Sequence, residues 1–324
     1  MPGAVASRRG ALRSRMATVF LNGGFVERGD ARVSAFDAAM QHGVGLFETM
    51  LAVRDPLEAA GVRVVLLMEH IERLRGSAKE LGLSDSLRAE ALADAVLAAA
   101  AKADLDRARV RLTITGGDLN LLEAGAGTGP MDPTVLITVT PAQRYPDAMF
   151  ERGVGVTIAD WKANPLDGFQ GHKTVWYWPR LQELQKAAAK GAGEALVFGV
   201  SNHAAGGCVS NLLCVKGGEI VTPVARGEEQ QGAVPSPVLP GCTRGWLLDR
   251  ADDLGVVIHR KLVTIDDVLD ADEVFLTNSS WGVLPVVRVE SREIGGGTPG
   301  ELTRRLMGEW RSFVEGDEPG EGGV

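Results

Sequence analysis

The stretch VRLTIT, residues 110–115, alternates apolar and polar side chains, and it sets the interpretation of the first half of the chain. This period of two predicts a strand with one buried face. The stretch TVLITVT, residues 134–140, predicts a second strand. Before both strands, residues 66–104 contain two helical patterns in which apolar residues recur every three or four positions. The first half is therefore predicted to combine a sheet with helices.

The second half of the chain alternates short strand-like runs with helical runs. The strand-like runs are GVGVTI (154–159), ALVFGV (195–200), VVIH (256–259) and EVFLT (273–277), and the helical runs cover 179–190, 243–253 and 299–313. We therefore expect a mixed α/β (α+β) fold with many short strands.

Proline and tyrosine residues between positions 141 and 146 interrupt these patterns and indicate a boundary between two domains. Residues 1–16 carry four arginines, no acid and no apolar core of a secretory signal. They indicate a disordered leader, with a targeting arm as the alternative. The last ten residues are acidic and glycine-rich, which indicates a disordered tail. The predicted divisions are a leader at 1–16, an N-terminal domain at 17–143, a linker at 144–152, a C-terminal domain at 153–314 and a tail at 315–324.

The composition excludes several classes of protein. Of 324 residues, 45% are hydrophobic and 23% are charged, which is typical of a soluble globular protein. The formal net charge of −8 argues against a nucleic-acid partner, and no apolar run is long enough to span a membrane. Three cysteines are too few for a disulfide framework, so a reducing, cytoplasmic compartment is predicted. The five histidines form no ligand pair at helical spacing, so no metal site is predicted.

Seven phrases, taken in order, carry more information than any local motif. They are FLNGGFVERGDARVSAFDAAMQHGVGLFETM (20–50), EHIERLRGSA (69–78), HKTVWYW (172–178), EALVF (194–198), VSNLLCVKGGEIVTP (209–223), LPGCTR (239–244) and ADEVFLTNSSWGVLPV (271–286). Together they resemble the class IV aminotransferases, the fold type IV pyridoxal phosphate enzymes. That family includes branched-chain aminotransferases, D-amino acid transaminases and aminodeoxychorismate lyases. The resemblance covers residues 18–314.

The resemblance implies an architecture, a cofactor and a reaction. A smaller N-terminal α/β domain and a larger C-terminal domain would hold pyridoxal 5'-phosphate in the cleft between them. The family is built on homodimers. The implied activity is an aminotransferase that moves an amino group between an amino acid and a 2-oxo acid, and the substrates are therefore small molecules.

The resemblance also implies the catalytic and cofactor-binding residues. Lys173 matches the Schiff-base lysine, although a lysine in isolation is more often a surface residue. Arg73 matches the phosphate arginine, with a solvated helix face as the alternative. The other implied cofactor residues are Tyr177 near the phenolic oxygen, Leu239 on the ring, and Gly241, Cys242, Thr243 and Ser279 at the phosphate.

A second group of residues is assigned to the substrate. By the resemblance, His42, Phe47 and Glu48 line the substrate side, and Ser280 meets the substrate carboxylate. Arg111 is a cation on a pocket-facing strand, or a solvent-facing strand charge. The segment TGGDLNLLEAG (115–125) lacks the Arg-x-His trap of D-amino acid transaminases, which argues against a D-amino acid substrate. A histidine at position 42 departs from the branched-chain pattern, so that substrate is not secured either.

Gly206 departs from the family pattern. A glutamate is expected there, five residues before Asn211, to pair with the pyridine nitrogen of the cofactor, but the segment NHAAGGCVSN (202–211) contains no acid. Water or His203 could serve the nitrogen, the chemistry could need only a weak electron sink, or the protein could bind the cofactor with little turnover. An elimination of the aminodeoxychorismate lyase type is the alternative reaction.

Overall fold

A computed structural model describes residues 17–118 and 133–316 of the chain. The predicted leader and residues 317–324 of the predicted tail lie outside the described residues. The chain divides into two compact units. Unit 1 comprises Met1–Gln143 with Lys173–Trp176, and unit 2 comprises Arg144–His172 with Tyr177–Val324. The domain limits drawn from the sequence stay a prediction, and each unit is described by itself.

Unit 1 is built on a six-stranded antiparallel sheet in the order β2-β1-β6-β5-β3-β4. Its strands are β1 (Thr18–Leu21), β2 (Gly24–Val26), β3 (Gly45–Arg54), β4 (Val62–Val64), β5 (Arg107–Thr115) and β6 (Val135–Pro141). Its described helices are α1 (Ala38–His42), α2 (Leu67–Glu80) and α3 (Ala89–Ala103).

The alternation in β5 gives the sheet of unit 1 its buried face. Val110, Leu112 and Ile114 are completely buried, whereas Arg111 and Thr113 on the opposite face are half-buried. The helices α2 and α3 pack their apolar stripes against this sheet because burial of apolar surface stabilises the folded chain. The predicted strands and helices of the first half are therefore confirmed.

Unit 2 contains a nine-stranded mixed sheet, in which eight strands follow the order β12-β11-β10-β13-β14-β7-β8-β9 and β15 pairs with β14. The strands are β7 (Val154–Ala163), β8 (Glu194–Gly199), β9 (Ala204–Gly207), β10 (Asn211–Lys216), β11 (Glu219–Pro223), β12 (Ile258–Lys261), β13 (Glu273–Asn278), β14 (Gly282–Val289) and β15 (Arg292–Glu293). The described helices are α4 (Ala148–Glu151), α5 (Trp178–Ala189), α6 (Cys242–Asp253), α7 (Ile265–Leu269) and α8 (Glu301–Glu315). The short helix α4 lies within the segment predicted as a linker.

The segment Lys173–Trp176 belongs to unit 1, although the residues before and after it in the sequence belong to unit 2. The backbone N–H of Phe47 donates to the carbonyl of Lys173 at 2.9 Å, and Val175 N–H donates to the carbonyl of Gly45 at 2.9 Å. Leu46 and Thr174 form an antiparallel bridge between these two bonds. The beginning of β3 thereby fixes the backbone on both sides of Thr174.

The structure describes eight helices within residues 17–118 and 133–316. Among them, none combines the length and the apolar character that crossing a bilayer requires.

Candidate active site

Three of the predicted site residues meet on one face of unit 1. The Nζ of Lys173 lies 4.6 Å from the centroid of the Phe47 ring, and the Cζ of Arg111 lies 3.8 Å from the same centroid. The register between β3 and β5 explains the second contact, because Phe47 pairs with Thr113 and Arg111 pairs with Thr49 on the same face. Both cations are within the range of a cation–π interaction with one ring. This cluster is positively charged and suits an anionic partner.

Glu48, the residue after Phe47, points to the other side of β3 and forms a buried ion-pair cluster. Its Oε1 accepts from Arg73 Nε at 2.9 Å, and its Oε2 accepts from Arg73 Nη2. The same Oε2 lies 2.7 Å from His70 Nδ1. The side chains of Glu48 and His70 are each 1% exposed and that of Arg73 is 11% exposed. The Arg73–Glu48 contact is bidentate, which is the strongest geometry for this pair.

The electrostatics of the cluster favour an ionised Glu48. Burial by itself raises the pKa of this carboxyl group, but the charge of Arg73, then that of His70, and the hydrogen bonds from both side chains lower it from its ordinary value of 4.5 to about 2. A charge this deeply buried is stable only when it is paired and hydrogen-bonded. Glu48, His70 and Arg73 therefore act as one unit that fixes α2 to β3.

The cluster bears on the predictions made for Arg73 and Glu48. Arg73 is not on a solvated helix face, because most of its side chain is buried against Glu48. The carboxylate of Glu48, predicted to line the substrate side, faces His70 and Arg73 instead of open solvent. His42 is the last residue of α1 and is exposed. The phosphate role of Arg73 and the substrate roles of His42 and Glu48 stay predictions.

In unit 2, the turn that leads into α6 is fixed by one buried amide. Asn211 Nδ2 donates to the carbonyl of Leu239 at 2.8 Å. The Oδ1 of Asn211 occupies the place where a Cβ of residue 241 would lie, so Gly241 is required for this close approach. Gly241 is the N-cap of α6, and no side chain caps the helix there. The amide N–H groups of the first turn, which begins with Cys242 and Thr243, have no partner within the helix itself.

The first turn of α6 is also held by a buried arginine. Arg244 is 2% exposed, and its guanidinium donates to Glu228 through Nη1 at 2.8 Å and through Nη2 at 2.9 Å. Nε and Nη2 also donate to Thr222 Oγ1 and to the carbonyl of Pro223. These bonds join the helix start to the end of β11 and to the loop that follows it. The position of the first turn is therefore set from two sides.

The loop after β13 brings a second predicted residue to the start of α6. The Oγ of Ser279 lies 3.5 Å from Thr243 Oγ1. Asn278 shapes the loop, because its Oδ1 accepts from the N–H groups of Ser280 and Trp281 at 2.9 and 3.0 Å. Its Nδ2 donates to the carbonyl of Val209 at 3.2 Å. The structure thus unites two of the residues predicted for phosphate, Thr243 and Ser279, and places Ser280 on the same loop.

Gly206 lies in β9 and has a backbone conformation that favours glycine. Its φ is +110°, and a Cβ there would approach the carbonyl oxygen of Ser210 at 2.7 Å. A side-chain acid at this position would therefore strain the backbone. His203, considered as a substitute partner for the pyridine nitrogen, lies before β9, and its Nδ1 is 3.2 Å from Ser201 Oγ. The hydrogen bond of His203 is thus local to its own turn.

Tyr177 directly precedes α5, and the first turns of that helix contain a residue that sequence reasoning missed. The guanidinium carbon of Arg180 lies 5.8 Å from the Tyr177 ring centroid and 5.2 Å from that of Trp161. Its Nη1 donates to the carbonyls of Gly207 and Cys208 at 3.3 and 3.2 Å. Arg180 lies outside the seven phrases, and its partners are 27 and 28 residues away, so no local motif marked it.

The residues at the start of α6 fit an organic phosphate. A helix N-terminus carries unpaired N–H donors and a partial positive charge, and here two hydroxyl groups stand beside it. Glycine at 241 lets Asn211 pack against the turn that precedes these donors. In β9, the carbonyl of Gly207 accepts a hydrogen bond from Arg180, and position 206 carries no acid. The phosphate part of pyridoxal phosphate therefore fits the start of α6 in unit 2. The glutamate that the family resemblance implies for the ring nitrogen is replaced by Gly206.

Comparison with known proteins places the chain in a family. The family model of amino-transferase class IV matches residues 45–289. A putative branched-chain-amino-acid aminotransferase of Methanocaldococcus jannaschii is 29% identical over 298 residues, which covers 91% of this chain and 96% of the relative. The chain belongs to the class IV aminotransferases.

Solved structures agree with this placement. A T.th branched-chain amino acid aminotransferase with pyridoxamine 5'-phosphate matches with a TM-score of 0.81 and 26% identity, covering 93% of this chain and 95% of that one. The 4-amino-4-deoxychorismate lyase of Pseudomonas aeruginosa matches with a TM-score of 0.74 and 27% identity, covering 91% and 98%. The predicted fold class is confirmed, and the chain is an enzyme, an aminotransferase, as predicted.

The buried cluster in unit 1 makes a testable contribution to stability. We expect Glu48→Gln to lower the free energy of unfolding at pH 7 by about 3 kcal/mol, because Arg73 then stays buried without its counter-charge. The folded pKa of Glu48 lies below its unfolded value, so the carboxylate stabilises the fold above pH 4.5. That contribution is lost as the pH falls through about 2. The difference between wild type and variant in urea unfolding should therefore shrink between pH 4.5 and 2.

A matched control lies on the same helix. Glu72 pairs with Arg75 at 2.9 Å, but both side chains are well exposed, so Glu72→Gln should change stability by less than about 0.5 kcal/mol. Equal effects of Glu48→Gln and Glu72→Gln at pH 7 would contradict the importance given to the buried cluster.

Proposed function

We propose that the chain binds pyridoxal 5'-phosphate and uses it to move an amino group between an amino acid and a 2-oxo acid. The main support for the cofactor is that the hydroxyl groups of Thr243 and Ser279 lie 3.5 Å apart at the start of α6. This arrangement suits a phosphate group. Two further supports are family membership and a structural relative, the T.th enzyme, that contains pyridoxamine 5'-phosphate.

Lys173 is assigned to the covalent step. When bound, the cofactor supplies an aldehyde that amines can join and a ring that withdraws electrons from the substrate carbon. The Lys173 amine would hold the aldehyde until the substrate amine replaces it, and would then move a proton at the substrate α-carbon. Two backbone hydrogen bonds to β3, one at the carbonyl of Lys173 and one at the N–H of Val175, fix the backbone that carries this amine.

The remaining cofactor residues divide the work of binding. The N–H groups of Cys242 and Thr243 and the Ser279 hydroxyl would hold the phosphate, with Gly241 leaving room for the Asn211 side chain that fixes the helix start. Leu239 would pack on the ring and Tyr177 would meet the phenolic oxygen. Arg73 is proposed as a further phosphate ligand, and Glu48 with His70 would keep its guanidinium in one orientation. In this proposal Glu48 is a positioning residue.

The substrate residues are proposed from the charged face of unit 1. Arg111 and Lys173 place two positive charges against the Phe47 ring, which suits a substrate with a carboxylate group. Amino acids and 2-oxo acids both carry that group. Phe47 would give the same region an apolar wall, and Ser280 and His42 are proposed as further polar contacts of the substrate.

Two other functions have specific support. The fold resembles a 4-amino-4-deoxychorismate lyase, which supports an elimination as the second candidate. The absence of an acid at position 206 supports a protein that binds the cofactor but turns over slowly. The discriminating measurement is absorbance spectroscopy of the cofactor during a half-reaction with leucine, isoleucine, valine, glutamate and D-alanine as separate donors.

We expect at least one L-amino acid to convert bound pyridoxal phosphate to pyridoxamine phosphate. Release of pyruvate from aminodeoxychorismate without that conversion would favour the lyase. No change with any donor would favour binding alone.

Lys173 gives the most direct test of the covalent assignment. Borohydride should fix the cofactor to the wild-type protein, and peptide mass spectrometry should locate it on Lys173. Lys173→Ala should lose both the fixed label and the donor half-reaction. Lys162, an exposed lysine of the same chain, provides the control, and Lys162→Ala should behave as wild type. A label on another lysine would contradict the assignment.

The glycine at the start of α6 tests the phosphate site. We expect Gly241→Ala to weaken pyridoxal phosphate binding about tenfold or more, because the new Cβ takes the place of Asn211 Oδ1. Gly245→Ala is the matched control, since a Cβ at residue 245 meets no atom within 4 Å. The dissociation constant would be measured by quenching of tryptophan fluorescence. Equal affinities for the two variants would contradict the placement of the phosphate.

A homodimer in the cytoplasm completes the proposal. The three cysteines are free thiols, as a reducing compartment requires. Phe36 and Met40, before and within α1, are 73% and 71% exposed, which suits a covered interface. Sedimentation equilibrium should give twice the 34.3 kDa of one chain. Phe36→Asp with Met40→Asp should shift the mass toward one chain, whereas Leu57→Asp, at an apolar residue that is still more exposed, should not. A single-chain mass for the wild type at micromolar concentration would contradict the dimer.

A further inference from the structure

Position 206 is close to the proposed phosphate site. A Cβ on Gly206 would lie 3.6 Å from the Cα of Asn211, and the side chain of Asn211 in turn packs on Gly241 at the start of α6. The backbone that follows, Gly207 and Cys208, therefore belongs to the same part of unit 2 as the phosphate donors. A small aromatic cofactor anchored at α6 would have its ring within reach of this backbone.

Glu194, an acid that contacts this backbone, already accepts four hydrogen bonds. Glu194 is completely buried, and its Oε1 accepts from the N–H groups of Ala195 and Cys208 at 3.0 and 3.2 Å. Its Oε2 accepts from Val209 N–H at 3.2 Å and from Ser210 Oγ at 3.1 Å. A carboxylate offers about four acceptor positions, and these four bonds fill them. Glu194 is thus committed to holding the turn between β9 and β10.

The other titratable groups in this region do not supply an anion to the ring either. Glu183, on α5, accepts from Asp160 N–H at 3.0 Å and from Lys186 Nζ at 2.7 Å. The Cys208 thiol stays protonated, because burial, followed by the charge of Glu194, raises its pKa to about 12. Glu183 is therefore held by a backbone N–H and by Lys186, and the Cys208 thiol carries no negative charge.

Arg180 is a cationic side chain that contacts the same backbone. It donates to the carbonyls of Gly207 and Cys208, and its guanidinium lies near the rings of Trp161 and Tyr177. Contact with two aromatic rings and two carbonyls holds its cation in one orientation. Guanidinium cannot be deprotonated in a protein and cannot accept a hydrogen bond.

We propose that the guanidinium of Arg180, and not an acid, is the charged group beside the pyridine nitrogen, and that it leaves this nitrogen unprotonated. The proposal rests on the proposed binding of pyridoxal phosphate. A protonated nitrogen beside Arg180 would place two positive charges together in a partly buried site, whereas a neutral nitrogen can accept a hydrogen bond from the arginine. The ring would then be a weaker electron sink, and proton removal at the substrate carbon would depend more strongly on Lys173.

The ¹⁵N chemical shift of the pyridine nitrogen reports whether that nitrogen is protonated. The protein would be loaded with pyridoxal phosphate labelled with ¹⁵N in the ring, and the ¹⁵N chemical shift would be measured from pH 6 to 9. We expect the wild type to show the shift of a neutral pyridine at every pH. A shift typical of pyridinium, or a wild-type titration in this range, would overturn the proposal. Failure to retain the labelled cofactor would contradict the proposed function itself, so the two failures are distinguishable.

Variants on α5 connect the effect to Arg180. Arg180→Gln removes the charge, and we expect its ring nitrogen to take up a proton as the pH falls within the measured range. Arg180→Lys keeps the charge and should behave as wild type. Lys190→Gln removes a charge from the exposed end of the same helix and should leave the shift unchanged. If Arg180→Gln and wild type gave the same shifts, the assignment to Arg180 would be wrong.

Discussion

The packing of the Asn211 side chain against Gly241 is the constraint on which the start of α6 in unit 2 depends. The amide fills the space beside Gly241 and donates to the carbonyl of Leu239, so it decides where α6 begins. Arg244 then fixes the first turn from the opposite side through Glu228. With the helix start held in this way, its amide groups and the hydroxyls of Thr243 and Ser279 are organised before any ligand binds. Such preorganisation reduces the ordering that binding would otherwise require.

In unit 1 the organising interaction is instead a buried ion-pair cluster, formed by Glu48, His70 and Arg73. Successive residues of β3 point to opposite faces of the sheet. Phe47 therefore meets Arg111 and Lys173, while Glu48 meets His70 and Arg73. One strand thus carries two half-buried cations against its Phe47 side and a buried, paired ion cluster on its other side.

Much of this organisation could be predicted from the sequence. The alternation in 110–115 and the helical spacing in 66–104 specified elements of unit 1, because burial on one face imposes a period that the residues themselves display. The order of seven phrases identified the family, and from it came the predictions for Lys173 and the α6 turn. These are features in which the information is local or carried by the spacing of motifs.

The remainder depended on contacts between distant residues. Glu48 and Arg73 lie 25 residues apart, and nothing around Glu48 indicated that its carboxylate is enclosed. Arg180 reaches carbonyls 27 and 28 residues away. Similarly, a glycine at 206 was visible in the sequence, but its φ of +110° and the nearby carbonyl of Ser210 were not. Side-chain partners and backbone angles of this kind arise only when the chain has folded.

We propose that unit 2 holds a pyridoxal phosphate by its phosphate at the start of α6, with no acid at its ring nitrogen. A crystal structure of the cofactor-loaded protein would test both parts. We expect phosphate oxygens within hydrogen-bond distance of the first-turn amides of α6 and of Ser279 Oγ, and no carboxylate oxygen within that distance of the pyridine nitrogen. A phosphate bound away from α6, or a carboxylate on the ring nitrogen, would contradict it.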